Sequence, residues 1–371
     1  MKRLVVTSPG KGTSVADCTL QVETVPTPIP KSGEVLIKVV AAPVNPSDYG
    51  SWFQSSASAY PMPIGKEGCG IVVAHHSGGG LWGFSSSYRF PVGTKVGFVC
   101  MDSTRGSYAE YVAVDATTGV FAMPEHVPIE DCASFFVNPY TAVGILDTAQ
   151  RALNTSNKKK GSTSSSSSKQ VTIVHTAAAS QLGQMLIKLA RIINNDDNDN
   201  NKVEIINVVR RQEQKEILEQ LGAKHIVVTS GDITTWKAEL KAKVKELGAT
   251  CAFDAVSGDM TGHLMDCLPP KGIVYIYGSL SGNVNGINPL DLIYRKKQLK
   301  SFFLSSWIQE GGWMSMIPRM LSANKLVNSG LASPDGWCCS QFHDTTMEGV
   351  HAEVVKLLTS GVTGKKLRIR F

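Results

Sequence analysis

Between residues 130 and 295, short apolar runs alternate with amphipathic stretches of helical length, and this alternation constrains the fold more than any other feature. Residues 171–174, 203–209, 225–228, 252–254 and 272–277 read as strands, and 182–193, 213–221, 236–247 and a segment around Leu264 read as helices. Strands that are apolar throughout bury both faces, and helical connections of this length bring successive strands side by side in parallel. The expectation is an α/β fold built on a doubly wound parallel sheet over 136–295.

Residues 1–125 follow a different rhythm. Apolar runs at 34–40, 70–73 and 95–99 are separated by Pro- and Gly-rich turns, a β-rich pattern, and Pro26, Pro28 and Pro30 mark an irregular connection. After residue 296 come an aromatic segment, a helix near 350–358 and a strand at 366–369. This tail is expected to return to the first domain, giving 1–135 with 296–371 as one unit and 136–295 as the other. Two polar, low-complexity segments, 154–170 and 194–202, hold too little apolar surface to order themselves and read as loop insertions. The serine tract in the first could take phosphate, but a plain linker is the simpler reading.

A chain of 371 residues suits two domains, and 42% hydrophobic with 18% charged residues is a globular composition. A net charge of +6 is modest for this length; it suggests no nucleic-acid surface and at most favours an anionic cofactor or substrate. Of the eight cysteines only Cys338 and Cys339 are close in sequence, and adjacent cysteines form neither a CxxC pair nor a zinc knuckle. A reduced chain follows. No segment reads as a signal peptide, a presequence or a membrane span, so a cytoplasmic protein with no membrane partner is expected.

The stretch VHTAAASQLG (174–183) joins a strand to a helix where a dinucleotide fold places its phosphate loop. Such a loop needs small residues so that backbone N–H groups and the helix N-terminus can approach a pyrophosphate. Ala177, Ala178 and Ala179 leave room, Ser180 adds a hydroxyl, and Gly183 permits close packing. Ala178, Ser180, Gln181, Leu182 and Gly183 are the candidate cofactor contacts here, although small residues also suit an ordinary strand–helix turn.

The following strand distinguishes between cofactors. With the nine Asn/Asp-rich positions set aside, Arg210 falls roughly 20 residues past the loop, where an NAD site carries an acidic residue for the ribose 2′-hydroxyl. Here the chain has Arg210 and Arg211, with Lys215 one turn further on. These cations suit a 2′-phosphate and favour NADPH; the competing reading is a solvated basic helix start.

In order along the chain stand VNPSDYG (44–50), PIGKEGCGIVV (63–73), VGTKVGF (92–98), GSYAEYVAV (106–114), VNPYTA (137–142), LGAKHIV (221–227), FDAVSG (253–258), YIYGSLSG (275–282) and TGKK (363–366). Together they resemble the medium-chain dehydrogenase/reductases over nearly the whole length. The likeness implies a Rossmann-type domain beside a β-rich GroES-like catalytic domain. The zinc-dependent branch of that family carries a cysteine in the first motif and a histidine before the glutamate of the second. This chain has Asn45 and Lys66 there, followed by Glu67, and it lacks a four-cysteine loop, so no metal is expected. His75 and His76, beside a Ser-Gly-Gly-Gly run, are not read as ligands.

Within the zinc-free branch, the loop is one residue longer than in quinone reductases and resembles that of mitochondrial-type 2-enoyl thioester reductases, as does SFFLSSW (301–307). That likeness places Phe303 and Trp307 in an acyl pocket; core packing is the alternative for such an aromatic stretch. It also implies a tyrosine between the first two motifs as proton donor, for which Tyr60 is a better candidate than Tyr49. It further implies Asn45 beside the nicotinamide, Thr141 and Gly278 as cofactor contacts, and a homodimer. The resulting expectation is NADPH-dependent, zinc-independent reduction of an activated C=C bond in a small-molecule enoyl thioester or enone. An NADPH:quinone reductase is the first alternative, and a non-catalytic, cofactor-binding member of the fold the second.

Overall fold

A computed structural model of the chain describes residues 1–53, 56–76, 89–100, 104–159, 170–196, 202–360 and 364–371. Most of the serine tract, positions 197–201, the Ser-Gly-Gly-Gly run at 77–80 and Thr363 of the TGKK motif lie outside these residues. The chain divides into two compact units, Met1–Asn138 with Lys325–Phe371, and Pro139–Asn324.

The first unit is β-rich. Its strands are β1 (Lys2–Ser8), β2 (Thr19–Thr24), β3 (Glu34–Pro43), β4 (Met62–Pro63), β5 (Glu67–His75), β6 (Lys95–Val99), β7 (Tyr111–Asp115) and β8 (Val120–Ala122). The C-terminal segment adds two more, which become β15 (Phe342–Thr345) and β16 (Lys366–Arg370) in chain order. Among the described residues, β2-β1-β4 form a small sheet, and the larger one runs β15-β16-β3-β5-β6-β8 with β7 also paired to β3. β3 is antiparallel to both β5 and β16, so the end of β3 meets the starts of the other two. One core cluster gathers Leu4, Val6, Trp52, Tyr108, Val350 and Ile369, and a second gathers Val35, Ile37, Val72 and Phe98.

The second unit carries β9 (Gln170–Thr176), β10 (Lys202–Val209), β11 (His225–Val228), β12 (Cys251–Asp254), β13 (Ile273–Ile276) and β14 (Gln298–Ser301). Among the described residues they form one sheet in the order β11-β10-β9-β12-β13-β14, every pair parallel. This is the doubly wound dinucleotide-binding order, with its switch point between β9 and β12, where ligands bind beyond the strand ends. Six of the seven residues of β9 are buried, as a central strand covered on both faces requires. Helices Ile233–Glu246 and Asp259–Cys267 bury Trp236, Leu240 and Leu264 against Val174 and Ile206. The Gln181–Asn195 and Gln212–Gln220 helices bury Ile187 and Leu218 in a cluster with Ala178 and Val209.

Two boundaries differ from the sequence reading. Residues 296–324, expected in the first unit, cluster with the second because β14 pairs in parallel with β13 and extends its sheet. The first polar insertion starts later than its composition suggested, since the Val137–Lys159 helix continues through Asn154–Lys159. The second is ordered at its edges: the Asn194 side chain donates to and accepts from the backbone of Val203, tying the end of one helix to the start of β10.

Candidate functional site

In the second unit, β9 ends in the alanine-rich turn. Ala177 takes a left-handed conformation (φ 51°), and the Ala178 N–H donates to the Val208 carbonyl, folding the turn back over the sheet. Ser180 caps the following helix by accepting from the Gly183 N–H at 3.2 Å, which leaves its own hydroxyl hydrogen to donate. Ala178, Ala179 and Leu182 are buried, so any contact they offer a phosphate is through the backbone. A Cβ on Gly183 would come within 2.1 Å of the Ala178 oxygen; only glycine fits. Gln181 and Ser180 are half-buried at the mouth of the turn, and Thr141 is buried in the Val137–Lys159 helix.

The two arginines follow β10. Buried Gln214 accepts from the backbone N–H groups of both Arg210 (3.0 Å) and Arg211 (3.1 Å), fixing their main chain from inside. The Arg210 side chain is exposed and makes no ion pair among the described residues. Lys215 faces Glu219 at 3.7 Å, which offsets its charge and makes it the weakest of the three as a phosphate ligand.

At the switch point, Asp254 joins strands β9 and β12. It accepts from the Thr176 and Thr261 hydroxyls at 2.8 and 2.7 Å and from the N–H of Val256 at 2.9 Å. The Thr176 oxygen in turn accepts from the Ala255 N–H at 2.9 Å. Ser257 donates to the Gly278 carbonyl, and a Cβ on Gly278 would meet the Ala255 oxygen at 2.8 Å, so this edge also depends on close backbone approach. His175 and Tyr277 meet at 2.7 Å with their rings stacked, and burial holds the imidazole down at about 3, hence neutral. Sequence reasoning missed this Asp–Thr–His–Tyr set. The signal available was an aspartate ending an apolar strand.

The aromatic segment separates into two roles. Phe303 is 62% exposed, open to a ligand. Trp307 is 4% exposed; its indole N–H donates to Asp147 at 2.7 Å, and the Arg319 guanidinium lies over its ring. The expected placement of Trp307 in an acyl pocket is corrected accordingly: the side chain is buried, its indole N–H is held by Asp147, and the Arg319 guanidinium covers one face of its ring.

The first unit holds the other candidates. Asn45 caps the Pro46–Trp52 helix and is 1% exposed; its amide N–H donates to Glu67 and its oxygen accepts from Lys366. Asn45 therefore has little left to offer a nicotinamide and serves this unit as a structural clamp. The Tyr60 hydroxyl donates to the Trp52 carbonyl at 2.6 Å, and the half-buried ring packs on the Leu4 cluster. Tyr49 stands edge-on to Trp52, and burial pushes its phenol up to about 12.

The donor set does not fit zinc. Lys66 is an ammonium donating to the Ser47 carbonyl, and Asn45 is claimed on both sides. The two oxygens of fully buried Glu67 accept from Asn45 and from the Phe136 and Val137 N–H groups. These three hydrogen bonds take most of the carboxylate's lone pairs, and one carboxylate beside an ammonium and an amide falls short of the three protein ligands a catalytic zinc requires. His75 and His76 each contact a backbone carbonyl, of Phe90 and Pro30.

Comparison with known proteins agrees with this description. Residues 31–125 match the alcohol dehydrogenase GroES-like domain, and residues 182–322 match the zinc-binding dehydrogenase family. The chain belongs to the medium-chain dehydrogenase/reductase family. It is thus an oxidoreductase; among the described residues, no group of three or more His, Cys, Asp or Glu side chains could hold the metal that the second model's description implies. The mitochondrial enoyl-[acyl-carrier-protein] reductase of Xenopus tropicalis is 26% identical over 304 residues, covering 76% of this chain and 72% of that one. The human enzyme of the same name is 25% identical, with 84% and 75% covered. A putative NADPH:quinone reductase from Mesorhizobium loti superposes with a TM-score of 0.75 at 27% identity, covering 100% of this chain and 98% of its own. Among the described residues, no helix is long and apolar enough to cross a membrane.

Proposed function

We propose that this oxidoreductase uses NADPH to reduce an activated C=C bond without zinc, and that its substrate is a 2-enoyl thioester. The observation that carries the reading is the pairing of a narrow turn, closed by Gly183 against Ala178, with exposed Arg210 and half-buried Arg211 at the next strand end. The turn and the first N–H groups of its helix would hold the pyrophosphate, and the arginines would hold the 2′-phosphate. When bound, NADPH supplies a hydride to the β-carbon. The protein's own task is to orient the thioester, stabilise the enolate and deliver a proton to the α-carbon. Tyr60 is assigned that proton, exchanging its hydrogen bond to Trp52 for one to the substrate. Phe303 offers apolar surface to the acyl chain.

The test is steady-state turnover of NADPH with a 2-enoyl-CoA and, separately, with a benzoquinone. Faster reduction of the enoyl-CoA supports the assignment. Turnover of the quinone alone overturns it in favour of a quinone reductase, the reading suggested by the full-length likeness to the Mesorhizobium loti protein. Binding without turnover of either would mark a non-catalytic member of the fold.

The reading includes a homodimer. Strand β14 is exposed along its length, and Leu280, Leu290, Leu292, Ile293, Tyr294 and Leu299 nearby in sequence are exposed apolar residues. An exposed edge strand whose preceding segment also exposes apolar side chains invites pairing with a second copy. Light scattering should give twice the chain mass. A cytoplasmic location, supported by eight free thiols, is also part of the proposal; localising a tagged full-length chain to mitochondria would refute it.

A further inference from the structure

Lys366 is the first residue of β16, yet its ammonium is buried at the end of the sheet where β3 gives way to Asn45 and β5 begins with Glu67. Its Nζ donates to the Asn45 amide oxygen at 2.5 Å, and the Asn45 amide nitrogen donates to Glu67 at 2.9 Å. A carboxamide has one accepting and one donating end, and here groups of opposite charge claim both, so its orientation is fixed. The Asn45 backbone N–H donates to Asp48 at 2.7 Å, completing the cap on the Pro46–Trp52 helix. The carbonyl of Trp52, at the far end of that helix, takes the Tyr60 hydroxyl. One line of contacts therefore runs from Lys366 through Asn45 and a two-turn helix to Tyr60.

We infer that Lys366 is a positioning residue for the site: by holding the Asn45 amide, it fixes the helix on which the Tyr60 hydroxyl rests. The inference rests on the proposed role of Tyr60. Energetics argue against packing as the reason for a lysine here. Burying charge is costly, and an apolar side chain of similar volume is often neutral or stabilising, so packing alone does not account for a lysine here, whereas its hydrogen bond to the Asn45 amide gives it an orienting task. The charged and titratable groups around it are Glu67 from β5, Asp48 from the helix, Lys66 beside Asp48, and Tyr108, whose hydroxyl donates to Asp48 at 3.2 Å. Burial draws the ammonium down while the two carboxylates push it back up.

The experiment compares full-length wild type, Lys366→Met and Lys366→Arg by amide hydrogen exchange and by kinetics with NADPH and a 2-enoyl-CoA. Lys366→Met should raise exchange over the amides of residues 44–53 about tenfold, leave the β5 and β6 amides unchanged, and lower kcat about tenfold with KM for NADPH unaltered. Lys366→Arg, which keeps charge and donor, should recover both. Exchange that rises throughout the sheet, or not at all, overturns the inference, as does an arginine variant no better than methionine. If Lys366→Met does not fold, Lys366→Ala, which also removes the donor to Asn45 and leaves room for water, takes its place under the same criteria. Wild type inert toward the enoyl-CoA would defeat the proposed function alone, and the exchange comparison would still decide the role of Lys366.

Discussion

Gly183 and Ala178 stand so close that a single added methyl group on the glycine would lie 2.1 Å from the alanine carbonyl oxygen. Helix and turn are thereby locked at a separation set by backbone alone. Gly183→Ala must push the turn off the helix N-terminus, and overpacking of this kind costs about 1–3 kcal/mol. The expected result is a lower melting temperature and NADPH binding weakened at least about tenfold in a fluorescence titration. An alanine variant that binds NADPH like wild type would show that the turn does not hold the pyrophosphate.

The arginine pair makes a sharper prediction. Charge-assisted hydrogen bonds contribute about 1.5–3 kcal/mol each. Arg210→Ser with Arg211→Ser should therefore weaken NADPH by about a hundredfold while leaving NADH affinity within about a factor of three. Calorimetry with both nucleotides reads this directly. Equal loss for the two would mean the arginines serve the fold and not the 2′-phosphate.

Thr176 both donates to Asp254 and accepts from the Ala255 N–H. Thr176→Val removes both contacts and leaves a buried carboxylate and a buried N–H short of partners, at a cost of about 2–4 kcal/mol. Urea denaturation should show the loss without a change in m-value, since the surface exposed on unfolding is the same.

His175 gives a pH signature. Burial holds its folded-state pKa at about 3 against an ordinary 6.5. Between those values the unfolded chain takes up a proton that the folded chain refuses. The stability contributed above pH 6.5 is therefore lost as pH falls toward 3, by about 1.4 kcal/mol per unit at most. His175→Gln should flatten that part of the acid limb relative to wild type when unfolding is followed from pH 7 to pH 4. Parallel curves for the two proteins would show that His175 charges in the folded state.

Much of the second unit was legible in the sequence because its strands are apolar throughout and its turns are punctuated. β9 to β13 and their helices fall within a few residues of expectation. β14 was not legible: Gln-Leu-Lys-Ser is exposed on both faces and carries no apolar run, so only its pairing with β13 identifies it as a strand. The Trp313–Ala332 helix was hidden by Pro318 in its interior. At the candidate site, the positions of the turn and of the arginines in the fold were readable as local spacing, whereas the burial of Trp307 was not, because the sequence cannot show that Asp147 holds its indole N–H. Asn45 and Lys366 are separated by 321 positions, and no periodicity links residues that far apart. The Asn45 cap itself was visible as an Asn-Pro-Ser-Asp run opening a helix, a signal that could have moved Asn45 from ligand to clamp.

The first unit is discontinuous, and this orders its birth on the ribosome. Every strand of the second unit's sheet has been translated by Ser301, whereas the first unit's larger sheet still lacks β15 and β16, which close it beside β3. A nascent chain can complete its nucleotide-binding half while the other half waits for its final segment. A stalled or C-terminally clipped product would then carry the parallel sheet complete and the first unit's larger sheet without its last two strands.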